Sequence, residues 1–229
     1  IVIGSGGGAK ISSPAARLGL KVGVIEEGAL GGTCLNRGCI PSKMLIHPAD
    51  VAVTIHEAKK FDIDVETNYS VDFGKLVTRI SNTVDADSKG IEAGLAKNPH
   101  IDFYHKRGQF ISNKVIRVDN QEITADKIFI ATGARPTIPN IEGLKGTPFM
   151  TSTEALRNTK LPRKMIVVGG GYIAVELGHA YGALGTEVHF LVRSRMLRRE
   201  DWQVVEEFEH VFSRTYNVHL GTVPTKVDY

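Results

Sequence analysis

Residues 1–26 read Ile1-Val2-Ile3-Gly4-Ser5-Gly6-Gly7-Gly8-Ala9-Lys10-Ile11-Ser12-Ser13-Pro14-Ala15-Ala16-Arg17-Leu18-Gly19-Leu20-Lys21-Val22-Gly23-Val24-Ile25-Glu26, and this stretch decides the fold. Ile1–Ile3 is a short apolar strand that runs into a glycine-rich turn. Ala9–Leu18 reads as a helix, with Pro14 in its first turns. Lys21–Ile25 is a second strand, closed by Glu26. A strand–helix–strand unit of this length predicts a parallel sheet. Gly4-x-Gly6-x-x-Ala9 has the spacing of a dinucleotide turn. Gly4 permits the tight turn, Gly6 lets a phosphate approach the backbone, and a small Ala9 allows close helix–strand packing. The helix beyond offers free N–H groups and the positive end of its dipole. Glu26 stands where a carboxylate can grip a ribose hydroxyl. The competing reading is a glycine-rich turn without a ligand.

The same pattern restarts later in the chain. Met165–Val168 is a strand, Gly169-Gly170-Gly171 a turn, Tyr172–Leu184 a helix and Val188–Val192 the next strand. A helix over Gln203–Arg214 and a strand near Val218-His219-Leu220 follow. Gly169-x-Gly171-x-x-Ala174 repeats the dinucleotide spacing, but Arg193 replaces the acid at the second strand end. Arg195, Arg198 and Arg199 come close behind. Arginines at that place bind a 2′-phosphate by charge-assisted hydrogen bonds, whereas an acid repels it. The alternative is a solvated basic loop.

Between the two units, Pro41–Phe61 favours helix, with Pro48 expected to kink or interrupt it. Asp72–Asn98 reads as a long helix, with Phe73, Leu76, Val77, Ile80, Val84, Ile91 and Leu95 at helical spacing. Ile101–His105, Gln109–Ile111, Val115–Val118 and Ile128–Ala131 read as strands, with turns at Asn113 and Asp119-Asn120. Together they are expected to form an antiparallel meander outside the parallel sheets. Thr132–Glu142, with Pro136 and Pro139, has the composition of a linker. The expected fold is α/β: two Rossmann-like units with parallel sheets plus an antiparallel β-meander.

Composition narrows the function. The 229 residues correspond to one or two domains. At 42% apolar and 23% charged, the chain can build real cores. A net charge of +3 is too small to imply nucleic acid, and no apolar run approaches the roughly 18 residues of a membrane span. Two cysteines exclude a disulfide-stapled secreted scaffold. No targeting segment is visible, so the cytoplasm is the expected location, with a removed leader left open. The short first strand and the abrupt end at Tyr229 suggest a fragment.

The cysteines sit in Gly31-Gly32-Thr33-Cys34-Leu35-Asn36-Arg37-Gly38-Cys39-Ile40-Pro41-Ser42-Lys43. With four residues between them they can close a small disulfide loop, provided the first helical turn is distorted. Thiols near a helix N-terminus are expected to have lowered pKa values and to react as thiolates. Lys43, four residues past Cys39, shares its helix face. Three readings compete: a metal site, for which no second Cys/His pair has suitable spacing and no metal is expected; a structural disulfide; and two unrelated buried thiols.

This segment resembles the redox-active motif of the class I pyridine nucleotide-disulfide oxidoreductases. Ile130-Ala131-Thr132-Gly133-Ala134-Arg135-Pro136 is similar to that family's second flavin-contact segment, and Gly169–Gly178 to its pyridine-nucleotide fingerprint. The resemblance covers essentially the whole chain. It implies an FAD-binding domain with a redox-active disulfide over 1–145, a truncated NAD(P)-binding domain over 146–229, and a C-terminal dimerisation domain beyond the given residues. FAD would be held through Gly4, Gly6, Ala9, Glu26, Gly32, Thr33, Thr132 and Gly133, with Gly108 near the adenine. Cys39 would sit by the flavin as the charge-transfer thiolate, and Cys34 would be the outer thiol that exchanges with substrate. Lys43 would approach the flavin N5 and pair with Glu176. Tyr172 would stack over the flavin and move for nicotinamide, the alternative being an ordinary buried tyrosine. Gly169, Gly171, Ala174, Arg193 and Arg198 would take the pyridine nucleotide.

The family's His-Pro…Glu acid–base element has no counterpart, because Ala52 stands five residues past His47-Pro48. The arginines after Val192 resemble the NADPH-dependent members. The expected activity is therefore NADPH-dependent reduction of a low-molecular-weight disulfide of the mycothiol or glutathione kind. Dihydrolipoyl dehydrogenase with NAD and a lipoyl substrate, mercuric reductase, and a nucleotide-binding fragment without turnover are the alternatives. A homodimer, and neither nucleic acid nor membrane as partner, is expected.

Overall fold

The computed structural model describes residues 1–229 as two compact units, Ile1–Pro41 with Ser81–Arg135 and Ser42–Ile80 with Pro136–Tyr229. In the first unit, β1 (Val2–Ile3), α1 (Ala9–Arg17) and β2 (Val22–Ile25) form the expected parallel turn of chain. Val2 pairs with Val24, and both are buried with Ala16 and Val22 under α1. Next come α2 (Gly32–Arg37), α3 (Cys39–Glu57) and α4 (Phe73–Ala96); α3 and α4 each contribute residues to both units. The first unit continues with β3 (Ile101–Tyr104), β4 (Gly108–Ser112), β5 (Val115–Val118), β6 (Gln121–Thr124) and β7 (Phe129–Ile130).

The meander is smaller and differently composed than the sequence suggests. β3 and β7 join the parallel sheet, whose order is β3-β2-β1-β7. Only β4, β5 and β6 are antiparallel, and β6 falls outside the strands expected from the sequence. Connection length explains the difference. The chain from β2 to β3 passes through three helices, the long crossover a parallel pair requires. β4–β5 and β5–β6 are joined by tight turns in which Lys114 (φ 58°) and Asp119 (φ 56°) adopt the left-handed conformation. A short apolar run carries no mark of which partner it takes.

Of the two expected outcomes at Pro48, a kink or an interruption, the interruption does not occur: α3 runs on through it. It removes one helical donor, but Leu45, Ala49 and Ala52 on the same helix are buried in a core with Phe73, Val77 and Ile80. That packing holds the helix across the missing bond.

The second unit contains α5 (Ser152–Ala155), β8 (Lys164–Val168), α6 (Tyr172–Ala183), β9 (Glu187–Val192), α7 (Trp202–Phe212) and β10 (Asn217–Leu220). Thr151 and Glu154 close a capping box on the short α5. The sheet is parallel, in the order β10-β9-β8. Val188, Phe190 and Val192 alternate onto the buried face of β9. α6 lies close on that face: a Cβ at Gly178 would stand 2.2 Å from Phe190 Cζ. No helix is long and apolar enough to cross a membrane.

Candidate functional site

Between β1 and α1 the chain is pressed tightly against backbone atoms at Gly4 and Gly8. Gly4 has φ 105°, and a Cβ there would stand 2.1 Å from the Ala131 carbonyl oxygen. Gly6 abuts Gly32 backbone to backbone; a Cβ on Gly32 would lie 2.4 Å from Gly6 Cα. The close helix–strand approach expected at Ala9 falls at Gly8 instead. Gly8 is buried, and a Cβ there would meet the Gly4 oxygen at 2.1 Å and Val2 Cγ1 at 2.6 Å, whereas Ala9 is exposed. The N–H groups of Gly6, Gly7 and Gly8 donate to no protein acceptor. They form an open cradle for an anion at the start of α1.

Glu26 stands at the end of β2. Its Oε2 accepts from the Ser5 N–H at 2.9 Å and the Ser5 hydroxyl at 2.8 Å, and its Oε1 from the Gly28 N–H at 2.9 Å. Partial burial pushes the carboxyl up, but the donors from Ser5 and Gly28 outweigh it and hold the group below its usual range. These donors hold the carboxylate in place on the cleft lining. Ser5 ties the region together, because its Oγ also accepts from the Gly31 N–H at 3.1 Å. Ser5 is missing from the sequence-based candidates because its role depends on contacts with the segment after β2, distant in sequence.

These residues line a cleft of about 610 Å³ in the first unit, within the usual range of ligand sites. Gly4, Gly6, Glu26, Gly32, Thr33, Cys34, Gly108, Thr132 and Gly133 all line it. Gly108 packs closely: a Cβ there would stand 3.1 Å from Ile25 Cγ2 and 3.2 Å from Ile116 Cγ2. Lys10, Arg37, Lys106, Arg107 and Arg135 outnumber Glu26 and Glu27 on the lining, so the cleft attracts an anion. Free N–H groups, close glycine contacts, an anchored carboxylate and cationic walls fit a dinucleotide such as FAD.

The two cysteines are brought together by a break in the helix. Residues five apart on a regular helix project about 140° apart. The chain instead ends α2 at Arg37, passes through Gly38 and restarts at Cys39. Gly38 is close-packed, its Cβ position 2.9 Å from the Thr33 oxygen. Asn36 Nδ2 secures the loop by donating to the carbonyls of Ala29, Leu30 and Gly32 at 3.2, 2.7 and 3.0 Å. Both thiols are exposed and no disulfide joins them. The Cys34 thiol is pushed above the ordinary cysteine value, first by its hydrogen bond with Cys39, then by desolvation and the neighbouring thiol's charge. The lowering expected from a helix N-terminus is opposed at Cys34, whose thiol keeps its proton in the hydrogen bond with Cys39. Cys34 lines the cleft and Cys39 does not.

In the second unit, Gly169 (φ 126°) makes the turn and Tyr172 opens α6. Tyr172 is 69% exposed, so it is not an ordinary buried tyrosine. The arginine loop is tied to the turn by Leu197 N–H, which donates to the Gly170 oxygen at 2.7 Å. A Cβ at Gly170 would stand 2.8 Å from Val192 Cγ1 and 3.1 Å from Met196 Cα. Glu209 on α7 braces the loop: it accepts from Arg195 Nε and Nη2 at 3.1 and 2.9 Å and from Met196 N–H at 2.7 Å. Arg195 is thereby committed to the protein, while Arg193 and Arg198 are exposed beside the turn. In sequence, Glu209 is indistinguishable from any other acid on a helix. Lys43 and Glu176 form the expected ion pair, with side chains 61% and 32% exposed, so the pair is not buried. Ala174 is half-buried on α6.

The model of one family, the pyridine nucleotide-disulphide oxidoreductases, matches residues 1–228. A mercuric reductase of Lysinibacillus sphaericus is 35% identical over 213 residues, 91% of this chain and 38% of that protein. A mycothione reductase of Mycobacterium tuberculosis is 33% identical over 224 residues, 95% of this chain and 48% of that protein. Among solved structures, the Cu(II) complex of the HOCl-induced flavoprotein disulfide reductase RclA from Escherichia coli superposes with a TM-score of 0.85 at 30% identity, covering 100% of this chain and 50% of that one. The chain spans half or less of the length of each of these proteins.

Proposed function

The chain belongs to the pyridine nucleotide-disulphide oxidoreductase family, and on that premise we propose that it is the dithiol-bearing part of an FAD-dependent enzyme that uses NADPH to reduce a low-molecular-weight disulfide of the mycothiol or glutathione kind. The observation that carries this reading is the Cys34–Cys39 dithiol beside a cationic dinucleotide cleft, with Cys34 on the lining. Bound FAD would supply two-electron exchange between a nicotinamide and the dithiol. Gly6, Gly7 and Gly8 would hold its diphosphate on free N–H groups, Glu26 a ribose, and Gly108 would lie near the adenine. Gly32, Thr33, Thr132 and Gly133 complete the walls.

The chemistry at sulfur is thiol–disulfide exchange. Cys34 loses its proton and attacks the substrate disulfide, forming a mixed disulfide and expelling one thiolate, which takes up a proton. Cys39 then attacks Cys34 Sγ, closes the Cys34–Cys39 disulfide and releases the second thiol. One substrate disulfide becomes two thiols while the protein dithiol becomes a disulfide. The flavin-side role of Cys39 rests on the family resemblance, since Cys34 and not Cys39 lines the cleft; Lys43 with its partner Glu176 stands one turn along α3, and Tyr172 gates the nicotinamide.

The proposed division is an FAD domain over 1–145 and part of an NAD(P) domain over 146–229, in a cytoplasmic homodimer that pairs through a further C-terminal domain. The exposed Arg193 and Arg198 beside the Gly169–Gly171 turn favour NADPH. A second reading, with a mercuric ion as substrate, is favoured by the mercuric reductase relative and by the exposure of both thiols, which are soft ligands. A panel of mycothiol disulfide, glutathione disulfide, lipoamide and Hg²⁺, each with NADPH and NADH, tests these readings on the full-length protein. Turnover of a thiol disulfide with NADPH is expected. Turnover of Hg²⁺ alone installs the second reading, and equal use of NADH removes the arginine argument.

A further inference from the structure

Arg37 is so far only one of several cations on the cleft wall, with no contact assigned to it. It closes α2 and lines the same cleft as Gly6, Gly32 and Thr33. The residue is half-buried, its Nε is fully buried without a hydrogen-bond partner, and no carboxylate pairs with the guanidinium. Buried polar groups are rarely left unsatisfied, and a charge drawn out of water without a counter-charge is costly. No group of the protein satisfies that Nε, and an anion entering the cleft would.

The helix geometry says which part of the ligand it meets. Thr33 and Arg37 are four apart on α2 and share one face. Helical side chains lean toward the N-terminus of their own helix, which carries the guanidinium back over the turn that holds Gly32. Gly32 is packed directly on Gly6, next to the uncommitted N–H groups of Gly6, Gly7 and Gly8. We infer that Arg37 binds the diphosphate of the dinucleotide, adding a charge-assisted contact from the cysteine-bearing helix to the backbone cradle. The planar guanidinium fork matches two phosphate oxygens. The same contact links the ligand to the helix on which Cys34 rides, so a bound diphosphate steadies the dithiol loop. This inference rests on the FAD reading of the cleft.

The test uses full-length protein stripped of flavin, as wild type, R37M and R37K. R37M keeps the aliphatic length and removes the charge. FAD should bind R37M about ten- to hundred-fold more weakly than wild type, the range expected for loss of a hydrogen bond to a charged group. R37K should recover most of the affinity, and FAD affinity should depend less steeply on salt in R37M than in wild type. Flavin-free R37M should melt at or above the wild-type temperature, because an unpaired charge has been removed. R37M that binds FAD as tightly as wild type overturns the Arg37 assignment alone. R37M that melts several degrees lower without flavin, with R37K no better, makes Arg37 a packing residue and also overturns it. Wild-type protein that holds no FAD overturns the function proposed above and the Arg37 contact with it.

Discussion

Gly32→Ala is the sharpest perturbation of the cleft. Gly32 has φ 65°, where a residue with a Cβ is disfavoured by about 1–2 kcal/mol. The new Cβ would also stand 2.4 Å from Gly6 Cα and 3.1 Å from Gly6 N. These are backbone atoms, so no rotamer change relieves the clash, and forced overpacking of this kind costs about 1–3 kcal/mol. Together the two effects destabilise the protein by about 2–5 kcal/mol. At about 2–4 °C per kcal/mol for a chain of this size, Tm falls by about 4–20 °C. Gly6→Ala provides the internal control. Its φ is not in the left-handed region, and its Cβ would lie 3.1 Å from Gly32 Cα, so a shift of a few tenths of an ångström accommodates it. That variant should lose about 1 kcal/mol or less and fall by no more than about 4 °C. The assay is thermal melting of flavin-free protein followed by circular dichroism. A Gly32→Ala protein that melts within about 2 °C of wild type, or a Gly6→Ala protein equally damaged, refutes the back-to-back packing argument.

In Cys39→Ala, Cys34 loses the partner that holds its proton, so the midpoint of its iodoacetamide reactivity against pH should fall toward the ordinary thiol value near 8.5; an unchanged midpoint disproves the coupling. Glu26 is held below its usual carboxylate range by the Ser5 and Gly28 donors, so its stabilising contribution is present above about pH 4.3 and is lost as pH falls through the lowered value. Glu26→Gln should therefore flatten the acid limb of the stability curve, and an unaltered limb would show that the donors contribute nothing. Glu176→Gln should cost only about 0.2–1 kcal/mol, because the pair with Lys43 is solvent-reached; urea denaturation showing a loss of about 3 kcal/mol or more would indicate a buried pair.

What could be read without a structure is what depends on near neighbours. The two glycine turns are legible because a tight turn and a close phosphate approach demand Gly4 and Gly169 locally, whatever the rest of the chain does. The helix over Phe73–Ala96 follows from apolar periodicity, and the acid at 26 against the arginine at 193 follows from their place after a strand. The cysteine spacing announced the dithiol, since Gly38 between them is where a helix can break. Tertiary structure decided everything that depends on a partner far along the chain. The partners of β3 and β7, the tight contact at Gly8 and not Ala9, and the commitment of Arg195 to Glu209 are contacts with segments distant in sequence. Exposure belongs to the same class. Lys43 and Glu176 were paired by resemblance, yet whether their charges lie in water or in a core is set by how α3 and α6 pack. The Cys34 thiol shows the distinction most clearly: a helix N-terminus argues for an acidic thiol, but the fold places a second thiol against it, and the hydrogen bond between them pushes the Cys34 thiol the other way.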